Sequence, residues 1–215
     1  LRRVLGAERV AGGRSGYRLE TAGAWVDVDE AERLVKEAES QLKSGRPALA
    51  AAAATEARRL LERGDFLEDE PYALWATDGR REAERLARRA GRAAWTAALA
   101  LGEHRTALDL ASRAVDADPL DEEAHRARMQ ALYLAGDTAA ALAAYQLLRD
   151  ALVEDLGADP GPETEALYLS ILRSEPVEAP TPGTPAQPPG GASPLAGRDR
   201  ELTWLDDRWA AAAGG

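Results

Sequence analysis

The chain has 215 residues, with 27 Lys or Arg against 37 Asp or Glu, so its formal net charge is −10. The absence of cysteine excludes a disulfide framework and a thiolate metal site. No apolar run approaches the ~20 residues that span a bilayer, and the overall acidity argues against a chain that grips nucleic acid with its whole surface. Because the first residue is leucine rather than methionine, we expect a piece of a longer protein.

The charge is distributed unevenly along the chain. Residues 1–20 carry five Arg and two Glu and form a basic segment, whereas the remainder is acidic. Seven of the twelve prolines lie in residues 176–194. Because proline removes an amide donor and fixes φ, this second stretch predicts a linker without helix or sheet.

The middle of the chain predicts helices punctuated by glycine and proline. Asp29 and Glu32 have the spacing of a capping box at the start of the first helix. Gly45 and Pro47 predict the end of that helix and the start of a second one, which should reach Gly64. Later helices are expected near residues 72–101, 104–117, 121–135, 138–156 and 162–173.

A self-match with a period of 34 residues lies within this helical part. Leu101-Gly102-Glu103 corresponds to Ala135-Gly136-Asp137, and Ala107 corresponds to Ala141. Glycine closes the turn between paired helices and small alanines let their backbones approach, a pattern that resembles a tetratricopeptide repeat. The expected fold is mainly α, a tetratricopeptide-like antiparallel helix-pair solenoid with a short N-terminal β-hairpin. The alternative is an alanine-rich bundle with chance spacing.

Residues 1–20 predict the end of a helix followed by a β-hairpin. One strand would hold Arg9 and Val10, the other Tyr17 to Leu19, and residues 12–15 would form the tip. An arginine at such a tip can enter a DNA minor groove, and arginines at a helix end can lie near phosphates. The alternative is that these arginines are solvated at the surface, or that Arg18 forms an ion pair with an acidic neighbour. The candidate DNA-contact residues are Arg2, Arg3, Arg14 and Arg18.

Several stretches in this order resemble the actinobacterial antibiotic regulatory proteins, the SARP type. They are GYRLE at residues 16–20, VDVDEAERL at 26–34, GDFLEDEPYALW at 64–75, ALDLASRAVDADPLDEEAH at 107–125 and ALVEDLGADPGPETEALYLSILR at 151–173. In that family a winged-helix DNA-binding domain precedes a bacterial transcriptional activator domain. The resemblance covers residues 1 to about 175.

The resemblance implies a cytoplasmic transcriptional regulator that is not an enzyme, needs no cofactor and does not associate with membranes. Its implied partners are promoter DNA, through the complete winged helix, and RNA polymerase or neighbouring domains, through the helical bundle. A homodimer is a further implied partner. Because most of the winged helix would precede Leu1, the DNA contacts are expected in the intact protein only.

The resemblance also divides the chain into four segments. Residues 1–21 would end the winged-helix domain, 22–175 would form the activator domain, 176–194 the linker, and 195–215 the start of a following domain. That last segment resembles the opening of an ATPase module, with Gly197, Arg198 and Glu201 as weak nucleotide-binding candidates. An ordinary charged helix start is the alternative. The phosphate loop G-x-x-x-x-G-K-[ST] is absent from the sequence, so no triphosphate site is expected here.

Other residue types that often carry chemistry predict structural roles. His104 and His125 lack a third ligand at a metal spacing, so we expect them to be packed or solvated. Trp75 and Trp95 are expected in the core, and Trp25 at the seam between hairpin and bundle.

A second function stays open on the sequence alone. The helical repeats are also typical of a peptide-binding adaptor, with its groove on the helices near 104–117 and 138–156. A signal-relay domain of an ATP-dependent switch protein, with no DNA role, is the related alternative.

Overall fold

A computed structural model describes residues 10–13, 16–19, 25–64 and 66–177. All of them belong to the first of two units, Leu1–Gly183, whereas the second unit, Thr184–Gly215, lies outside the described residues. The four segment boundaries expected from the sequence therefore stay predictions.

A β-hairpin precedes the helices. Strands β1 (Val10–Gly13) and β2 (Gly16–Leu19) pair antiparallel, with Gly13 opposite Gly16. The predicted hairpin is confirmed, but its predicted four-residue tip is wrong. Gly12 lies within β1 at a φ of 130°, which glycine tolerates, and only two residues separate the strands. Those two residues lie outside the described part of the chain.

After the hairpin, the described chain forms seven α-helices and one short 3₁₀ turn, Leu74–Ala76, joined by turns and loops. The helices are α1 (Asp27–Lys43), α2 (Pro47–Leu61), α3 (Thr77–Ala100), α4 (His104–Ala117), α5 (Glu122–Leu134), α6 (Thr138–Leu156) and α7 (Pro162–Leu172). Each helix packs on the next, and α1 also packs on α3, α3 on α5, and α5 on α7. This pattern confirms the helix-pair solenoid. Within the described ranges, no helix combines the length and apolar character needed to cross a membrane.

The turn between paired helices recurs with the same backbone hydrogen bond. That bond joins Arg46 N to Gln41 O, Glu103 N to Ala98 O, and Asp137 N to Leu132 O, at 2.9 Å in each case. Gly45, Gly102 and Gly136 precede the three donors with φ values of 67°, 74° and 89°, as a left-handed helix end requires. The last two turns lie 34 residues apart, so the predicted repeat is confirmed.

Small residues allow the paired helices to approach closely. Ala50, Ala107 and Ala141 occupy the same position one turn into the second helix of each pair, and all three are fully buried. A larger side chain there would push the helix backbones apart, because protein interiors are close-packed.

The buried side chains form three cores that share helices. The first core joins α1, α2 and α3, the second joins α3, α4 and α5, and the third joins α5, α6 and α7. Each helix pair therefore contacts only its neighbours, as in other repeat proteins.

The start of α1 differs from the sequence prediction. The N-cap residue is Val26, whose carbonyl accepts a hydrogen bond from Glu30 N at 3.0 Å. The capping box at Asp29 and Glu32 is therefore wrong, because the N-cap lies three residues earlier. Asp29 lies in the first turn instead, where its negative charge is favourable beside the helix N-terminus.

The tryptophans divide between core and surface. Trp95 belongs to the second core and is only 4% exposed, as expected. Trp75 is 76% exposed and Trp25 is 62% exposed, so their expected packing is wrong. Trp75 lies in the 3₁₀ turn and not on a helix face, because α3 begins only at Thr77.

Candidate interaction groove and exposed aromatic loop

A groove of about 530 Å³ lies where α2, α3 and α4 meet. Apolar residues form much of its lining, including Trp95, Leu110 and Ala114. Gly91, on α3, leaves space beside the indole ring, since an added Cβ would lie 3.6 Å from Trp95 Cζ3. We refer to this feature as the groove.

The charged side chains around the groove fall into two groups. Arg58 is paired with Glu62 at 2.6 Å, and Asp121 caps α5 by accepting hydrogen bonds from two backbone amides. In contrast, Arg88 and Arg113 form no ion pair with any residue that the structure describes. Glu84, which also lines the groove, forms no ion pair with these residues either. An apolar lining beside free charges of both signs suits a peptide that carries apolar and charged side chains.

The groove differs in part from the adaptor groove that the sequence suggested. Helix α4, at residues 104–117, contributes Leu110 and Ala114 as that hypothesis required. Helix α6 contributes no lining residue, and α2 and α3 take its place. The 34-residue period identifies which helices pair, but it does not indicate which neighbouring pairs leave space between them.

A second surface lies in the connection between α2 and α3. Tyr72, Leu74 and Trp75 are exposed by 94%, 88% and 76%, and we call these three residues the aromatic loop. Large exposed apolar side chains grouped in this way mark an interaction site more often than solvent-facing surface. The sequence did not reveal this surface, because Pro71 is equally compatible with a helix that starts at once, as predicted near residue 72.

Hydrogen bonds hold the backbone of the aromatic loop. The Arg80 guanidinium donates to the carbonyls of Glu70 and Ala73, the latter at 3.3 Å. The Thr77 hydroxyl donates to the Leu74 carbonyl at 2.8 Å. These hydrogen bonds fix the backbone of the aromatic loop. Its exposed side chains therefore lie next to the N-terminal end of α3.

A polar network fixes α7 on α5. Glu122 Oε2 accepts hydrogen bonds from Gly161 N at 2.9 Å and from the Thr164 hydroxyl at 2.6 Å. Arg126 donates to the same hydroxyl at 3.2 Å and pairs with Glu163 at 3.1 Å. Because Thr164 is fully buried, these hydrogen bonds fix the position of α7 against α5.

The two histidines have structural positions. His125 is 3% exposed and its Nε2 lies 3.1 Å from the Pro119 carbonyl, to which it donates. Burial lowers the pKa of His125, and the hydrogen bond to Pro119 opposes that shift. His104 starts α4 and is half-buried. No group of three His, Asp or Glu suited to a metal ion occurs among the described residues.

The candidate DNA and nucleotide residues are mostly outside the described chain. Arg18 lies in β2 with an exposed side chain. The acidic residues nearest to it in the sequence, Glu8 and Glu20, lie outside the described residues, so the ion-pair alternative stays open. The candidates outside the described ranges are Arg2, Arg3, Arg14, Gly197, Arg198 and Glu201. Their proposed roles stay predictions.

The helix-pair solenoid and its groove define a helical interaction domain of the repeat type. Residues 26–172 match the model of the bacterial transcriptional activator domain family. This chain belongs to that family, in the form that the antibiotic regulatory proteins carry.

Regulatory proteins of Streptomyces are similar to this chain. The regulatory protein AfsR of Streptomyces griseus is 32% identical over 229 aligned residues, covering the whole chain but 23% of that protein. The regulatory protein DnrI of Streptomyces peucetius is 32% identical over 174 residues, covering 80% of this chain and 63% of DnrI. The chain thus spans about a quarter of the first relative and under two thirds of the second.

A solved structure has the same fold. Mycobacterium tuberculosis EmbR, in complex with a low-affinity phosphopeptide, superposes with a TM-score of 0.77 at 26% identity. The superposition covers 83% of this chain and 48% of the EmbR chain.

Proposed function

We propose that this chain is the activator-domain region of a cytoplasmic transcriptional regulator that binds promoter DNA. The observation that supports this most strongly is the family match over residues 26–172, directly preceded by the basic segment 1–20. In the proposal, residues 1–21 end a winged helix, 22–175 form the activator domain, 176–194 a linker and 195–215 the start of a further domain. The proposal includes no catalytic step.

The charge distribution assigns DNA contact and protein contact to different parts of the chain. Residues 21–175 carry 19 cations and 30 anions, so the helical domain repels phosphate. DNA contact is therefore assigned to the complete winged helix, with Arg2, Arg3, Arg14 and Arg18 as its candidates here. The helical domain instead makes protein contacts, to RNA polymerase or to neighbouring domains.

The DNA role is tested with the intact regulator and its promoter. Arg14→Ala should weaken promoter binding by about tenfold or more and make the affinity less dependent on salt. Arg105→Ala is the matched control, since Arg105 is an exposed arginine on α4 without an ion pair among the described residues. Unchanged affinity and salt slope for Arg14→Ala would argue against the winged-helix role.

The protein-contact role is tested at the groove. The double variant Arg88→Glu, Arg113→Glu should leave promoter affinity unchanged and reduce transcription from the promoter, with Arg105→Glu as control. Full transcription from the double variant would contradict a role for the groove. If Arg14→Ala has no effect on DNA binding but the groove variant loses a protein partner, the adaptor function without a DNA role is favoured instead.

A further inference from the structure

A larger cavity, of about 790 Å³, lies between the start of α1, the end of α2, the connection between α2 and α3, and α3 itself. All four of these elements contribute apolar side chains to its lining, among them Val28, Leu60, Phe66 and Ala83. Clefts of this size, lined mostly by apolar groups and by a few charged ones, are typical binding sites for small organic molecules. The size and the lining of this cavity therefore suit a ligand with an apolar body.

The charged side chains around this cavity are mostly carboxylates, and we call it the acidic cavity. Among the described residues, its charged lining consists of Asp27, Glu68, Asp69 and Glu84 against Arg63 and Arg80. None of the four carboxylates forms an ion pair with any residue that the structure describes. Arg80 is already engaged, because its guanidinium donates to the carbonyls of Glu70 and Ala73. A positively charged group in the acidic cavity would therefore find carboxylates that have no other cationic partner there.

The wall that carries two of these carboxylates is held in place by hydrogen bonds. Glu68 and Asp69 are the central residues of a turn, which Glu70 N closes by donating to Leu67 O at 2.9 Å. The Arg80 guanidinium connects the end of this turn to α3 through the Glu70 carbonyl. Because the wall is ordered before a ligand arrives, binding loses little free energy in arranging it.

We propose that the acidic cavity binds a small organic cation, a molecule with an amine or guanidine group on an apolar body. The apolar body packs on Leu60 and Phe66, and the cationic group lies beside Glu68 and Asp69, whose charge complements it. A metal ion does not fit this lining, since no group of three His, Asp or Glu suited to one occurs among the described residues. This inference goes beyond the proposed DNA and protein contacts and does not rest on either of them.

Two fluorescent probes with the same apolar body and opposite charges test the proposal on the full chain. Dansylcadaverine carries an amine, and dansyl-aminocaproate carries a carboxylate on a chain of similar length. Dansyl fluorescence rises when the group leaves water, so a titration gives the dissociation constant of each probe. The amine should bind at least about fivefold more tightly than the carboxylate. Equal affinities, or no binding of the amine, would overturn the proposal.

Substitutions that remove charge show where the amine binds. The double variant Glu68→Gln, Asp69→Asn should weaken binding of dansylcadaverine by about fivefold, because each exposed carboxylate contributes modestly. The matched control is Glu70→Gln, Asp78→Asn, which removes the same charge from nearby residues that do not line the cavity. This control should bind the amine like the wild type. An equal loss in both double variants would show that the net charge alone attracts the amine, and would overturn the site.

Filling the cavity with an apolar side chain gives a second measurement. Ala83→Phe should abolish binding of dansylcadaverine, because the ring occupies space that the dansyl group needs. Ala114→Phe is the matched control, since Ala114 is also a half-buried alanine but lines the groove instead. Far-UV circular dichroism checks that both variants keep their helices, and the charge variants decide the question if one of them does not fold. Retained amine binding in a folded Ala83→Phe variant would overturn the proposal.

Discussion

Arg89 on α3 holds Glu39 on α1 through two parallel hydrogen bonds of 2.8 Å each. The two side chains are 29% and 35% exposed, and the bond to Arg89 holds the pKa of Glu39 below its usual value. Most other ion pairs of the described chain join residues three or four apart on one helix. This pair instead connects the first helices of two successive pairs, beside the first core.

We expect Glu39→Gln to lower the free energy of unfolding by about 1 kcal/mol near neutral pH, because one partner of a partly buried charged hydrogen bond is removed. Since the folded pKa of Glu39 is lowered, the contribution is present above the ordinary glutamate pKa of about 4.3 and is lost as the pH falls further. Urea titrations at several pH values measure both effects. Glu56→Gln, which breaks an exposed pair with Arg59 on one helix, should change little, and equal losses would contradict the assignment.

Substitution by alanine at two glycines inside α3 should change the free energy of unfolding in opposite directions. At Gly91 a Cβ finds only Trp95 Cζ3 at 3.6 Å, an ordinary contact, so Gly91→Ala should stabilise by about 0.5–1 kcal/mol through helix propensity. At Gly79 a Cβ would lie 2.6 Å from Phe66 Cε1. The ring must then move, and we expect Gly79→Ala to cost about 1 kcal/mol net. The unfolding temperatures of both variants measure these effects. If both variants are stabilised, the Phe66 ring moves aside at little cost.

Prediction from the sequence was most reliable where a residue type is tied to one backbone conformation, as glycine and proline are. Gly45 and Pro47 identified the first turn, and the spacing of Gly102 and Gly136 identified the repeat, because few residues adopt those backbone angles. It failed where the burial of a side chain depends on the neighbouring elements. Trp75 looks like a core residue by composition, but the start of α3 at Thr77 leaves it on the surface.

The site was less predictable than the fold for the same reason. The pairing of helices follows from local spacing, whereas the groove depends on the distance between successive pairs. No local pattern marks Arg88 and Arg113 as unpaired among the many arginines of this chain.

The turn that follows α7 repeats the backbone hydrogen bond of the three glycine turns, with Glu175 N donating to Ser170 O at 2.9 Å. Ser174 adopts a φ of 56°, which costs a residue with a side chain roughly 1 kcal/mol relative to glycine. Ser174→Gly should therefore raise the free energy of unfolding by up to about 1 kcal/mol. Gly136→Ala is the reverse experiment, because the site has no atom within 4 Å of an added Cβ and only its φ of 89° opposes alanine. A loss of stability in Ser174→Gly would show that the hydroxyl contributes more than the backbone angle costs.

His125 should make stability depend on pH in the mildly acidic range. Because burial lowers its pKa in the folded chain, the unfolded chain binds the proton more readily, and stability falls as the pH drops below about 6.5. His125→Gln keeps an amide that can donate to the Pro119 carbonyl and removes the titration. Its unfolding free energy should vary less between about pH 7.5 and 5.5 than that of the wild type. An unchanged slope in His125→Gln would show that another group causes the pH dependence.

The sharing of helices between cores limits how one end of the molecule influences the other. Helix α3 belongs to the first and second cores, and α5 to the second and third. The described chain therefore connects α1 to α7 through helices that two cores share. Helix α3 has 24 residues and no break at either glycine, so it connects the first two cores as one continuous element. A change in the tilt of α3 would thus alter the packing of the first and second cores at once.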